Sequence, residues 1–128
     1  MICFQVKING EEVCTAGIDS EYGIVTAILD WVRRDLKNFP KESRSTVPEE
    51  ELKFNVSGSI THAWDDHENL RWVHRSVSPG DEICIKIIES HQIDEPQSRE
   101  RMDPDLVKKA KREYYEKLKR EYENGGGV

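Results

Sequence analysis

The chain has no run of about 18 apolar residues, which excludes a bilayer-spanning helix. Its opening, Met1-Ile2-Cys3-Phe4, shows neither the basic start nor the small-residue cleavage site of a secretory signal, so none is expected. Cysteine is scarce. Cys3, Cys14 and Cys84 stand singly and their number is odd, so free thiols in a reducing compartment, and a cytoplasmic address, are the expectation. Neither a CxxC pair nor a helical HxxxH occurs, and zinc sites want such converging ligands. No phosphate-cradling glycine loop, Ser/His/Asp order or carboxylate pair stands out. The chain is expected to be non-enzymatic and to carry no cofactor.

What is present is charge. Over 128 residues, 34% are charged and 36% apolar, enough for one domain with a modest core and an appendage. The net charge of −6 is unevenly placed: residues 1–90 hold 10 Lys/Arg against 16 Asp/Glu, and residues 91–128 hold 9 of each. An acidic body is a poor match for phosphate backbones, so nucleic acid is not an expected partner. It does suit a basic protein, and an acidic immunity or inhibitor protein is one alternative reading.

Ile2, Phe4, Val6 and Ile8 alternate with polar neighbours, as a half-buried strand does. Asn9-Gly10 then signals a tight hairpin, returning over Glu11 to Ala16 with Val6 opposite Val13 and Lys7 opposite Glu12. Ile24, Val25, Ile28, Leu29, Trp31, Val32 and Leu36 recur at helical spacing and predict a main helix stopped by Pro40. A polar connector over 37–50 leads to a strand at Leu52, Phe54 and Val56 that Gly58 should end. Asp65 or Asp66 is expected to cap a short helix through Arg75, with Leu70 and Val73 inward. Ser78-Pro79-Gly80-Asp81 is a turn, and Ile83, Ile85 and Ile87 mark a final strand.

Residues 90–102 are polar with Pro96 and are read as a linker. Asp103-Pro104-Asp105 is a good helix start, and a charged helix is expected over 103–124, ending near Asn124-Gly125 before a glycine-rich end over 125–128. Its apolar residues Leu106, Ala110, Tyr114, Leu118 and Tyr122 step by four, a stripe fit for a single contact.

The order of hairpin, long helix, strand, irregular crossing and closing strand resembles the β-grasp fold of ubiquitin-like proteins. The resemblance covers residues 2–89 and is one of pattern: the Phe4-Gln5-Val6-Lys7-Ile8-Asn9-Gly10 hairpin, the Ile24–Leu36 helix and the Ile83–Ile88 strand. It implies an α+β fold with a mixed four- to five-stranded sheet in which the last strand lies parallel to the first. It also implies action by protein–protein binding. Many such modifiers end in Gly-Gly, and this chain ends Asn124-Gly125-Gly126-Gly127-Val128. On that analogy a processing peptidase removes Val128, and activating and conjugating enzymes use the Gly126-Gly127 end. The other reading is a helix cap and a frayed end.

Other candidates are weaker. His62, Asp65, Asp66 and His67 are four possible metal ligands in six residues, the basis of a rival metal-dependent enzyme reading, against helix capping and exposed histidines. The three cysteines should share the sheet face turned away from the main helix. Trp72, projecting sideways, with Tyr114, Tyr115, Leu118 and Tyr122, are candidate partner contacts, Trp72 being equally able to cover a core edge.

Overall fold

The computed structural model describes residues 1–101 and 103–125. Asn9 and Gly10 both take positive φ, 54° and 81°, and close the turn between β1 (Ile2–Ile8) and β2 (Glu11–Gly17) as their sequence predicts. Lys7 pairs with Glu12 as expected, but beyond it the register shifts by one residue: Val6 pairs with Cys14 and not with Val13, which is the extra residue of a bulge.

The predicted main helix is a strand, β3 (Gly23–Arg33). Both of its faces carry apolar residues, and two superposed period-2 patterns imitate a 3.6-residue period. Its β-branched residues, Ile24, Val25, Thr26, Ile28 and Val32, favour the pleated conformation once β4 (Glu50–Ala63) pairs along its whole length. Between them, Leu36–Asn38 and Lys41–Ser43 form single 3-10 turns. Gly58 lies inside β4 and does not end it. A Cβ there would stand 2.8 Å from the Ile24 carbonyl oxygen and 3.1 Å from the Trp72 ring, so the absent side chain is what lets these groups approach.

The predicted short helix is also a strand, β5 (Asp66–Ser76). Val56 pairs with Val73 and Ser57 with Arg71, so Trp72 is extra. That bulge turns adjacent Trp72 and Val73 both inward, and with Leu70 it mimics helical spacing.

The last long strand, β6 (Ile83–Glu89), runs antiparallel to β1 and not parallel to it. No helical crossover precedes it. Instead Asn9 receives Glu82 N–H on Oδ1 at 2.9 Å, donates its own N–H to the Glu82 carbonyl at 2.8 Å, and donates Nδ2–H to Asp81 at 3.0 Å. These bonds fix the start of β6 beside the end of β1. The stretch read as a linker contains β7 (Ser98–Arg101), which adds to β5. The C-terminal helix stands where its cap signals place it, as α1 (Pro104–Gly125).

The fold is therefore α+β, with antiparallel sheets ordered β2-β1-β6 and β3-β4-β5-β7 and one helix near the C-terminus. Its core joins Val6, Ile8, Cys14 and Ala16 of the first sheet to Phe54, Val56, Leu70, Trp72 and Val73 of the second. Each large side chain so buried contributes about 1.5–3 kcal/mol.

Candidate interaction surface

The histidine-rich stretch forms the tip of the β4–β5 hairpin, and each of its four candidate ligands is already engaged. His62 Nε2 meets Glu68 at 3.0 Å. His67 bonds Thr61 Oγ1 through Nδ1 at 3.2 Å and the Trp64 carbonyl through Nε2 at 3.0 Å. Asp66 takes both Arg101 donors, at 3.1 and 2.7 Å, and Lys108 of α1 lies 3.8 Å from Asp65. Among the described residues no three His, Cys, Asp or Glu converge as a metal site would. Arg101 holds the Asp66 carboxyl below its usual range, and Arg99 with His62 does the same for Glu68. These pairs dock β7, whose Ser-Arg-Glu-Arg sequence offers no apolar face.

The cysteines do not cluster. Cys3 and Cys84 stand on the outer face of the first sheet, four residues of strand apart by register, roughly 13 Å. Cys3 is covered there while Cys84 is exposed. The β1–β2 register turns Cys14 into the core opposite Val6, where burial, followed by the Asp94 and Glu12 charges, pushes its thiol up to about 11. It stays protonated at neutral pH.

Of the two positions open to Trp72, a sideways contact or cover for a core edge, it takes the core side: it is 2% exposed because of its bulge. Tyr114, Tyr115, Leu118 and Tyr122 are exposed along α1. Besides the Asp65–Lys108 approach, Lys111 Nζ sits 5.6 Å from the Trp64 ring centroid, a cation–π distance. Gly126, Gly127 and Val128 lie outside the described residues. A shallow polar depression of about 320 Å³ lies over Ser57, Asn69, Arg71, Ser98 and Glu100.

The feature that sequence reading missed is β3. It is a terminal strand, and its pairing with β4 runs from Gly23–Ile60 to Arg33–Glu50 without a bulge. Just beyond its ends, Thr61 N–H bonds the Tyr22 carbonyl and Arg34 N–H bonds the Glu49 carbonyl. Even-numbered residues therefore point their backbone groups at β4. The N–H and C=O groups of Gly23, Val25, Ala27, Leu29, Trp31 and Arg33 point outward, along an open edge.

The side chains are equally unprotected. Leu29 and Trp31 stand on the same face as Phe54, yet are 58% and 65% exposed. Ile24 and Ile28, on the opposite face, are 67% and 42% exposed. Edge strands are commonly guarded by proline, lysine, a bulge or short length, and β3 has none of these. The terminal strand of the other sheet, β6, also leaves core-side residues open, Ile85 at 43% and Ile87 at 70%. A strand apolar on both faces is the composition of one buried on both faces.

No protein-family model, curated protein or solved structure matches this chain.

Proposed function

We propose that this protein is a non-enzymatic protein-interaction module whose binding element is the open edge and exposed apolar faces of β3. The observation that carries this reading is β3 itself: eleven residues of unbulged edge strand with Ile24, Ile28, Leu29, Trp31 and Val32 all exposed. Recognition is by strand addition. Main-chain bonds to the outward-pointing residues give affinity, and side-chain pockets on alternate positions give specificity. The exposed aromatic stripe of α1 is a second, independent contact surface.

Site-specific photo-crosslinking in the native host tests this. A photoreactive residue at Trp31 is compared with one at Arg71, on the polar face of β5. Adducts at 31 and none at 71 support the reading, and equal yields, or none at 31, overturn it.

A further inference from the structure

Resting on the module reading just given, we infer that the partner of β3 is β3 of a second copy, paired antiparallel about a two-fold axis at Ile28. The two four-stranded sheets then become one sheet of about eight strands, and neither retains its open β3 edge.

The backbone sets the first condition. Only odd-numbered residues of β3 have free outward groups, so hydrogen-bonded pairs must join odd to odd. An axis at Ile28 joins Gly23 to Arg33, Val25 to Trp31 and Ala27 to Leu29, each twice. All six outward residues of both copies are used, and about twelve N–H···O bonds form.

The side chains set the register. Asp30 is the one acid of the strand and Arg33 its one base. With the axis at Ile28, Asp30 faces Thr26 of the second copy, whose hydroxyl can donate to the carboxylate, and Arg33 faces Gly23. Shifting the pairing by two residues in either direction puts Asp30 opposite Ile24 or Ile28, a carboxylate against an isoleucine. The same axis pairs Val25 with Trp31, a β-branched residue with an aromatic, and small Ala27 with large Leu29. Ile24 meets Val32, and Ile28 meets itself. Beyond the strand ends, Tyr22 falls opposite Arg34, a phenol beside a guanidinium. Within β3 no like charges oppose one another.

The surface also offers apolar area beside the edge bonds. Ile24, Ile28, Leu29, Trp31 and Val32 expose on the order of 500 Å² of side chain per copy, against roughly 800 Å² per partner in a standard interface. Backbone groups and the end residues add to that figure. A linear peptide offers the edge bonds, but a second β3, already held extended by its own β4, sets matching side chains beside Ile24, Ile28, Leu29, Trp31 and Val32 with little ordering cost.

Sedimentation velocity over a concentration series, with cysteine trapping, is the test. Wild type should sediment at twice the 14.9 kDa chain mass, dissociating on dilution. Ala27→Pro removes only an outward N–H, so it should stay folded by circular dichroism and sediment as a monomer. In a Cys84→Ser background, Ile28→Cys should give disulfide-linked dimer in at least ten-fold higher yield than Asn69→Cys on β5. A wild type that is monomeric throughout, without a trapped Ile28→Cys dimer, overturns the second-copy inference. If Trp31 adducts then contain another protein, the module reading stands alone. If Trp31 gives no adduct, both fail. A dimer that survives Ala27→Pro with no Ile28→Cys trapping also overturns the inference.

Discussion

The indole N–H of Trp72 reaches the Asp94 carbonyl oxygen at 2.8 Å, and that contact joins the two sheets. Asp94 in turn donates its N–H to the Thr15 carbonyl at 2.9 Å, while its carboxylate receives Thr15 N–H at 2.7 Å. Trp72 belongs to β5 and Thr15 to β2, so one residue between β6 and β7 fastens the sandwich at that flank. Asp94→Ala keeps the carbonyl for Trp72 but orphans the Thr15 amide. The expected cost is about 1–2 kcal/mol, read as a lower urea midpoint at unchanged slope.

Gly58→Ala should be at least as costly. The new methyl meets the Ile24 carbonyl oxygen, which is backbone held by the β3–β4 ladder, and the Trp72 ring behind it. A loss of about 1–3 kcal/mol follows from overpacking. Thermal unfolding by circular dichroism, with Trp fluorescence following the displaced indole, checks it.

Asn9-Gly10 dictates its turn by backbone chemistry alone, and Asp103-Pro104 dictates the start of α1, so both were legible in the sequence. The strand β3 was not, because Ile24, Val25, Ile28 and Leu29 are spaced as a helix face would be and only tertiary pairing decides. Its β-branched residues were the signal that pointed the other way. The sequence leaves Trp72 between core and surface because a bulge breaks the alternation that strand recognition depends on. β7 has no hydrophobic pattern, since ion pairs to Asp66 and Glu68 hold it. The proposed interaction surface was hidden by the same ambiguity as β3.

Acid should loosen the molecule at identifiable points. Asn9 and the Ser78 amide lower the Asp81 carboxyl, and arginines lower Asp66 and Glu68. A carboxyl depressed in the folded state contributes stability that is fully present above its unfolded pKa of about 4 and is lost as pH falls through the lower folded value. Melting temperature should thus hold between about pH 7 and 5 and fall below about 4. Asp81→Asn should flatten part of that fall. A wild type whose melting temperature is unchanged at pH 3 would contradict the assignment.

The helix α1 should be thermally separable from the sheets. Lys108→Ala with Lys111→Ala removes the side-chain contacts to Asp65 and Trp64. Sheet stability should change by less than about 0.5 kcal/mol, as exposed contacts are weak. In wild type, amides over 106–122 should exchange much faster than those of β1 and β4.

Residue-resolved hydrogen exchange along β3, at high and low protein concentration, tests the central claim most directly. The even-numbered amides, such as Ile24, Ile28 and Val32, bond to β4 and should be protected at every concentration. The odd-numbered amides, Val25, Ala27, Leu29, Trp31 and Arg33, should be protected at high concentration and lose protection on dilution. An alternation that persists unchanged at all concentrations, with the odd amides always fast, would contradict pairing of β3 with its own copy.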